Sequence, residues 1–242
     1  MTKWPKSPPR LTPEQIRIQD DWIRYFHEQL PADHPRVLNF NHRYPLRSAR
    51  PNTRTLELGA GLGEHLRFED LESQEYHAVE LRQSMAEAIY RDYPHVSTSI
   101  GDCEKRLPYP DNHFDRVIAI HVLEHLYNLP AALAEIQRLL RPEGVLAAVI
   151  PCEGGFAYSL GRRLTTQRVF ERRYEVPYDW HVRAEHPNRP GEIFEEIARR
   201  FAIRDRTFFP LRVPIVDLNL VIGITATLPE HSRARPIRSS LS

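Results

Sequence analysis

The chain has 242 residues, 41% of them hydrophobic, enough for one packed domain or two small ones. Its 33 Lys plus Arg against 32 Asp plus Glu leave no global field to draw nucleic acid or an anionic membrane, so any such affinity must come from a local patch. Two cysteines, Cys103 and Cys152, far apart and outside any metal-ligand or redox spacing, argue against a disulfide scaffold; the proline-broken start "MTKWPKSPPR" and the lack of an apolar run near the ~20 residues of a bilayer span predict a cytoplasmic protein without a membrane span.

Thr12, Pro13 and Gln15 read as an N-cap, a first-turn proline and a capping box, opening a helix to about Leu30. Ile16, Ile18, Trp22, Ile23 and Phe26 would give it an inner face. The prolines and polar aromatics of "PADHPRVLNFNHRYPLRSARPN" predict an irregular cover over the domain, ending near Asn52. Within it "NFNHRYP", Asn39 to Pro45, suits either a flap over a ligand or plain packing. Residues 1–51 are therefore expected to be a helix plus lid preceding a domain over 52–229.

From there the chain alternates. Apolar runs rich in β-formers, "RTLELG", "YHAVEL", "VSTSIGDC", "DRVIAIHV" and "GVLAAVIP", are separated by helical patterns such as "RQSMAEAIYRDY" and "PAALAEIQRLLR". Runs apolar on both faces and joined through helices predict a parallel sheet covered on each side, the α/β class. The stretch 152–187 is too long and polar for a simple connection and is expected to be an inserted cap. A helix at "PGEIFEEIARRF" follows, then strands at "AIRDRTFFP" and "NLVIGITATL". With no helix between them, these two should pair antiparallel. Residues 230–242 are expected to fray.

In open α/β sheets ligands bind at the carboxyl ends of the strands, which puts "TLELGAGLGEHL", residues 55–66, at the site. A dinucleotide loop spaced G-x-G-x-x-G needs glycine at 64, where this chain has Glu64, an unfavourable neighbour for pyrophosphate. Gly59, Gly61 and Gly63 alternate instead. Glu57 suits a ligand carrying an ammonium and a sulfonium better than one carrying two phosphates. Glu80, ending the second strand, can accept from two ribose hydroxyls, and Asp102, closing the third, from an adenine amine; singly, each also fits an ordinary helix cap.

Taken in order, "LELGAGLGEHL", "YHAVEL", "IGDCEKRLPYPDNHFDRVIAIHVLEHL" and "RLLRPEGVLAAVIP" resemble the successive motifs of class I S-adenosylmethionine-dependent methyltransferases over about residues 50–151. The resemblance implies a Rossmann-like seven-stranded sheet, order 3-2-1-4-5-7-6 with strand 7 antiparallel. It implies S-adenosyl-L-methionine as cofactor, with Gly59, Ala60, Gly61 and Gly63 admitting the methionine end, Glu80 and Leu81 at the ribose, and Asp102 and Cys103 at the base.

"HVLEH", His121 to His125, matches the H-x-x-E-H zinc signature, but it follows an apolar strand and precedes Pro130, a loop rather than the long helix that chemistry needs. It also resembles a magnesium-associated E-x-x-E-H motif of some quinone-pathway methyltransferases, with His121 in place of the first glutamate; no metal is expected. His121 is read as a backbone contact to the donor, with Glu124 or His125 facing the acceptor; a helix cap with supporting histidines is the alternative. His181 and His186 in the cap are further candidates beside a reading as solvated loop histidines. Cys152 reads as a small packed thiol. Arg162, Arg163, Arg168, Arg172 and Arg173 against one acid suit an anionic acceptor or a solvated helix face.

The expected function is methyl transfer to a small-molecule or glycan- or lipid-linked acceptor, at oxygen, with no nucleic-acid partner. His125 leads as the base, followed by His121 and His186, because a neutral imidazole suits a hydroxyl proton near pH 7. The alternative is a donor-binding module without chemistry.

Overall fold

In the computed structural model, residues 4–29 and 35–230 are described. Seven strands form one sheet: β1 (Arg54–Leu58), β2 (Glu75–Glu80), β3 (Ser97–Ile100), β4 (Phe114–Ile120), β5 (Leu140–Pro151), β6 (Ala202–Phe209) and β7 (Val221–Thr227). Their order is β3-β2-β1-β4-β5-β7-β6, with β7 antiparallel to both neighbours and the other pairs parallel. The sheet is the one the resemblance implies.

The strands run apolar on both faces because both are covered. Leu56, Val117, Leu146 and Ile224 lie in a core completed by Leu133 and Ile136 of α4 (Leu129–Leu139) and Ile193 and Ile197 of α8 (Pro190–Arg200). Tyr76, Ala78 and Ile118 face the other way, with Ile89 of α3 (Gln83–Asp92). Burying such side chains is worth roughly 1.5–3 kcal/mol each, which makes this sandwich the main source of stability.

One segment differs from expectation. Residues 35–48 are not irregular: they form α2 (Pro35–Arg43) and a 3-10 turn over Pro45–Ser48. Val37, Phe40 and Tyr44 recur at helical spacing and pack on the β5–β7 face, Phe40 stacking on Phe209 at 5.0 Å. Tyr44 lies flat on Gly223, where a Cβ would meet its ring at 2.4 Å, and its hydroxyl donates to Asp205. This segment packs on the sheet face. The β1–β2 crossover carries only a 3-10 turn, His65–Phe68. It stops because Glu69 turns inward, accepting from Arg116 at 2.6 Å and Gln74 at 2.9 Å, with His65 at 2.9 Å.

The cap consists of α5 (Phe156–Leu164), α6 (Thr166–Tyr174) and α7 (Asp179–Glu185). It packs against α1 (Pro13–Glu28), which begins with the capping box read at Thr12 and Gln15. Trp22 sets its ring edge-on to Phe170 at 5.1 Å and to Tyr174 at 6.1 Å, and Arg173 pairs with Asp21 at 3.0 Å. The expected frayed tail beyond residue 230 lies outside the described residues. No described helix is long and apolar enough to cross a membrane.

Candidate active site

At the carboxyl edge of the sheet, Gly59, Gly61 and Gly63 take φ of +64°, +57° and +81°, a backbone that only glycine holds without strain. Gly59 has a second constraint: its Cβ would stand 2.6 Å from Cγ2 of Val122, in the loop after β4. The donor loop and the His121–His125 loop are therefore in direct contact.

Glu80 ties this loop down. One carboxylate oxygen accepts from the Gly61 amide and the other from the Arg82 amide, each at 3.0 Å. The next strand is in register, so Ile100 stands beside Glu80. Leu81 and Ile100 are 61% and 56% exposed, bare apolar faces on a charged edge. Asp102 accepts from the Glu104 amide at 2.9 Å and pairs with Lys105 at 3.1 Å, while burial pushes the Cys103 thiol up to about 12 and keeps it neutral. Glycines without side chains that let a ligand approach the backbone, a carboxylate at ribose distance along the sequence, and exposed apolar side chains beside it fit an adenosyl-sulfonium ligand.

Glu57 lies elsewhere than at an open cleft. It is 3% exposed beneath the loop and accepts from the Tyr76 hydroxyl at 2.9 Å. Burial raises its carboxyl to about 7 against the opposing pull of His65. Ala60 is likewise buried.

The second half of the site comes from β4, β5 and the cap. His121 leaves β4 at φ +52°, its amide donating to Val149 O at 2.8 Å and its Nδ1 3.0 Å from Glu124. Glu124 is buried. Burial works against its charge, but the His121 bond and the fields of His121, His125 and His186 outweigh that and lower its pKa. Its other oxygen has no partner among the described residues. His125 Nδ1 lies 3.4 Å from Glu185 at the end of α7. Burial disfavours the charged ring, yet Glu185 and Glu124 raise its pKa overall. Glu185 is held at about 2 despite burial, by His125 and by the amide of Gln19. His186 meets His125 edge to face at 4.9 Å and lies 2.7 Å from Glu153, which Arg162 grips through both oxygens at 2.6 and 2.8 Å.

The structure thus brings His121, His125 and His186 together, and His181 not. His181 is buried against Phe170 at 5.4 Å, and burial pushes it down to about 4, a neutral ring of the aromatic cluster. Cys152 is buried and its thiol is pushed up to about 12. Arg162 and Arg173 are committed to Glu153 and Asp21. Sequence reasoning missed Glu153, Glu185 and Ile100. Glu153 and Ile100 had a signal, since both sit at the same strand edge as the glycine loop. Among the described residues, the one group with metal-ligand spacing is Glu75, His77 and His113, at the opposite edge. There the Arg54 guanidinium already supplies positive charge, 2.7 Å from Glu75 and 3.2 Å from His113.

Residues 56–148 match the family described as "Methyltransferase domain". A malonyl-[acyl-carrier protein] O-methyltransferase of Halorhodospira halophila is 36% identical over 97 residues, 38% of this chain and 33% of that protein. A ubiquinone/menaquinone biosynthesis C-methyltransferase of Cupriavidus necator is 40% identical over 50 residues, 20% of this chain and 21% of that protein. The matched stretches thus span a third or less of these relatives. A TehB-like methyltransferase from Corynebacterium glutamicum shares the fold with a TM-score of 0.62 at 14% identity, covering 88% of this chain and 100% of that one. Residues 56–148 thus carry a methyltransferase-family domain, set in a sheet whose fold is shared with a TehB-like S-adenosylmethionine-dependent methyltransferase.

Proposed function

We propose that the protein transfers a methyl group from S-adenosylmethionine to an oxygen of a small or lipid-linked acceptor. The observation that carries this is the Val122–Gly59 contact, which sets the histidine loop directly beside the donor loop. Gly61, Gly63, Glu80, Leu81 and Asp102 would hold the donor. When bound, it supplies a methyl carbon on an already activated sulfonium leaving group, so the protein's task is alignment, exclusion of water and handling of one proton.

His125 takes that proton. With Nδ1 directed at Glu185, Nε2 carries the lone pair, and the Glu185 carboxylate stabilises the imidazolium that forms. His186, oriented by Glu153, lines the same side. Glu124 adds negative charge that favours protonation of His125.

The O-methyltransferase relative supports oxygen; the C-methyltransferase relative supports an acidic carbon as the second reading, since the same base would serve an enolisable C–H. Fold alone separates neither from a donor-binding module without chemistry. Incubation with methyl-labelled donor and hydroxyl, carboxyl and enol acceptors tests all three. Label in an ether or ester supports the proposal, label on carbon the second reading, and no label the binding module.

A further inference from the structure

We infer that α5 and the loop 210–218 form a docking surface for an anionic bilayer, which sets the acceptor side of the site against the membrane. The pairing with a lipid-borne acceptor rests on the methyltransferase reading; the docking does not.

At about 100° per residue, Phe156, Leu160 and Leu164 fall within about 80° of arc on α5. None of this stripe is covered: Phe156 is 69% and Leu164 59% exposed. The loop between β6 and β7 extends it with Leu211, Ile215 and Leu218, all exposed. The two elements are joined, for the Phe156 amide donates to Asp217 at 3.2 Å and Val216 O lies 2.7 Å from a Cβ built on Gly155. Scattered exposed apolar residues need no explanation, but six large ones on adjoining elements do.

Charge says what covers them. Helix α5 carries two arginines and no acid, and α6 three arginines and one glutamate. Arg162 and Arg173 are paired, whereas Arg163, Arg168 and Arg172 are exposed without an ion pair among the described residues. Arg163 flanks the stripe, about 60° from its centre, and Arg162 lies about 160° away, on the inner side. An apolar stripe flanked by Arg163, with Arg168 and Arg172 exposed on the next helix, suits the boundary between anionic headgroups and acyl chains. A second copy fits worse, because a two-fold contact would bring like-charged α5 helices together.

Position gives the surface a use. The face of α5 opposite the stripe holds Arg162 on Glu153, which orients His186, so one short helix separates bilayer from candidate acceptor site. An amphiphilic acceptor could present its headgroup to His125 while its tail stays in the lipid.

The test is co-sedimentation of the full chain with phosphatidylcholine vesicles, with and without phosphatidylglycerol, at low and high salt. S-adenosylhomocysteine affinity is measured in parallel on wild type, Phe156→Asp/Leu164→Asp and Arg163→Glu. We expect binding to the anionic vesicles at least about tenfold tighter than to neutral ones and weakened by salt, because each arginine near such a surface adds about 1 kcal/mol. Both variants should lose it and keep wild-type nucleoside affinity. The inference is overturned if wild type stays in the supernatant, if the double variant binds equally well, or if wild type is a dimer that the double variant dissociates while neither binds vesicles. Vesicle binding without nucleoside binding would keep the docking surface and sink the methyltransferase reading.

Discussion

His125 Nδ1 and Glu185 Oε2 stand 3.4 Å apart, joining the loop after β4 to the last turn of α7. The cap thereby supplies the acid that tunes a histidine of the sheet edge. A base must be neutral to act, and Glu185 raises the pKa of His125, so turnover should climb with pH along an acid limb above the ordinary 6.5. His125→Ala should lower kcat about 100-fold or more with little change in donor affinity. Glu185→Gln should move the acid limb to lower pH, read from the kcat–pH profile; an unmoved limb would remove the pair from the mechanism.

Gly59 combines φ +64° with a Cβ position 2.6 Å from Val122. Gly59→Ala should cost about 1–3 kcal/mol of stability, and Val122→Ala in the same chain should return only the steric part. Thermal melts of the single and double variants check this, and equal melting of wild type and Gly59→Ala would contradict it.

Glu57 is raised to about 7 from an ordinary 4.5, so between these values the unfolded chain releases its proton and the folded one keeps it. This contribution is full below about 4.5 and fades as pH rises through about 7, at most roughly 3 kcal/mol. Glu57→Gln should flatten the fall of stability across that window, measured by urea unfolding at pH 5, 6, 7 and 8.

Much of this architecture was legible because hydrophobic burial writes itself into local spacing. Leu56 and Leu58, or Ala147 through Ile150, read as strands from their neighbours alone. Partnerships across the sheet were not. Arg116 sits in an apolar run, and nothing nearby announces that Glu69, 47 residues earlier, pairs with it in the interior at 2.6 Å. Glu185 looks like an ordinary surface acid until the cap folds back and it meets His125. Glu57 was read as a ligand group because its position suggested the strand end, but strand alternation turns it under the loop onto Tyr76.

That hidden pair makes its own prediction. Arg116→Met leaves a buried carboxylate that Arg116 and His65 together hold at about 2 against burial. Losing one partner of such a pair typically costs 3–5 kcal/mol. Replacing both, in Arg116→Met/Glu69→Gln, should recover part of it; a melting temperature unchanged by the single substitution would show that the pair adds nothing.

The central claim is that the alternating glycines and the Glu80 carboxylate hold an adenosyl-sulfur ligand, and calorimetric titration with S-adenosylhomocysteine tests it most directly. The account predicts one site per chain for wild type and at least tenfold weaker binding for Glu80→Ala, with that variant's circular dichroism unchanged. Absence of heat with folded wild type, or equal affinity in the variant, would contradict it.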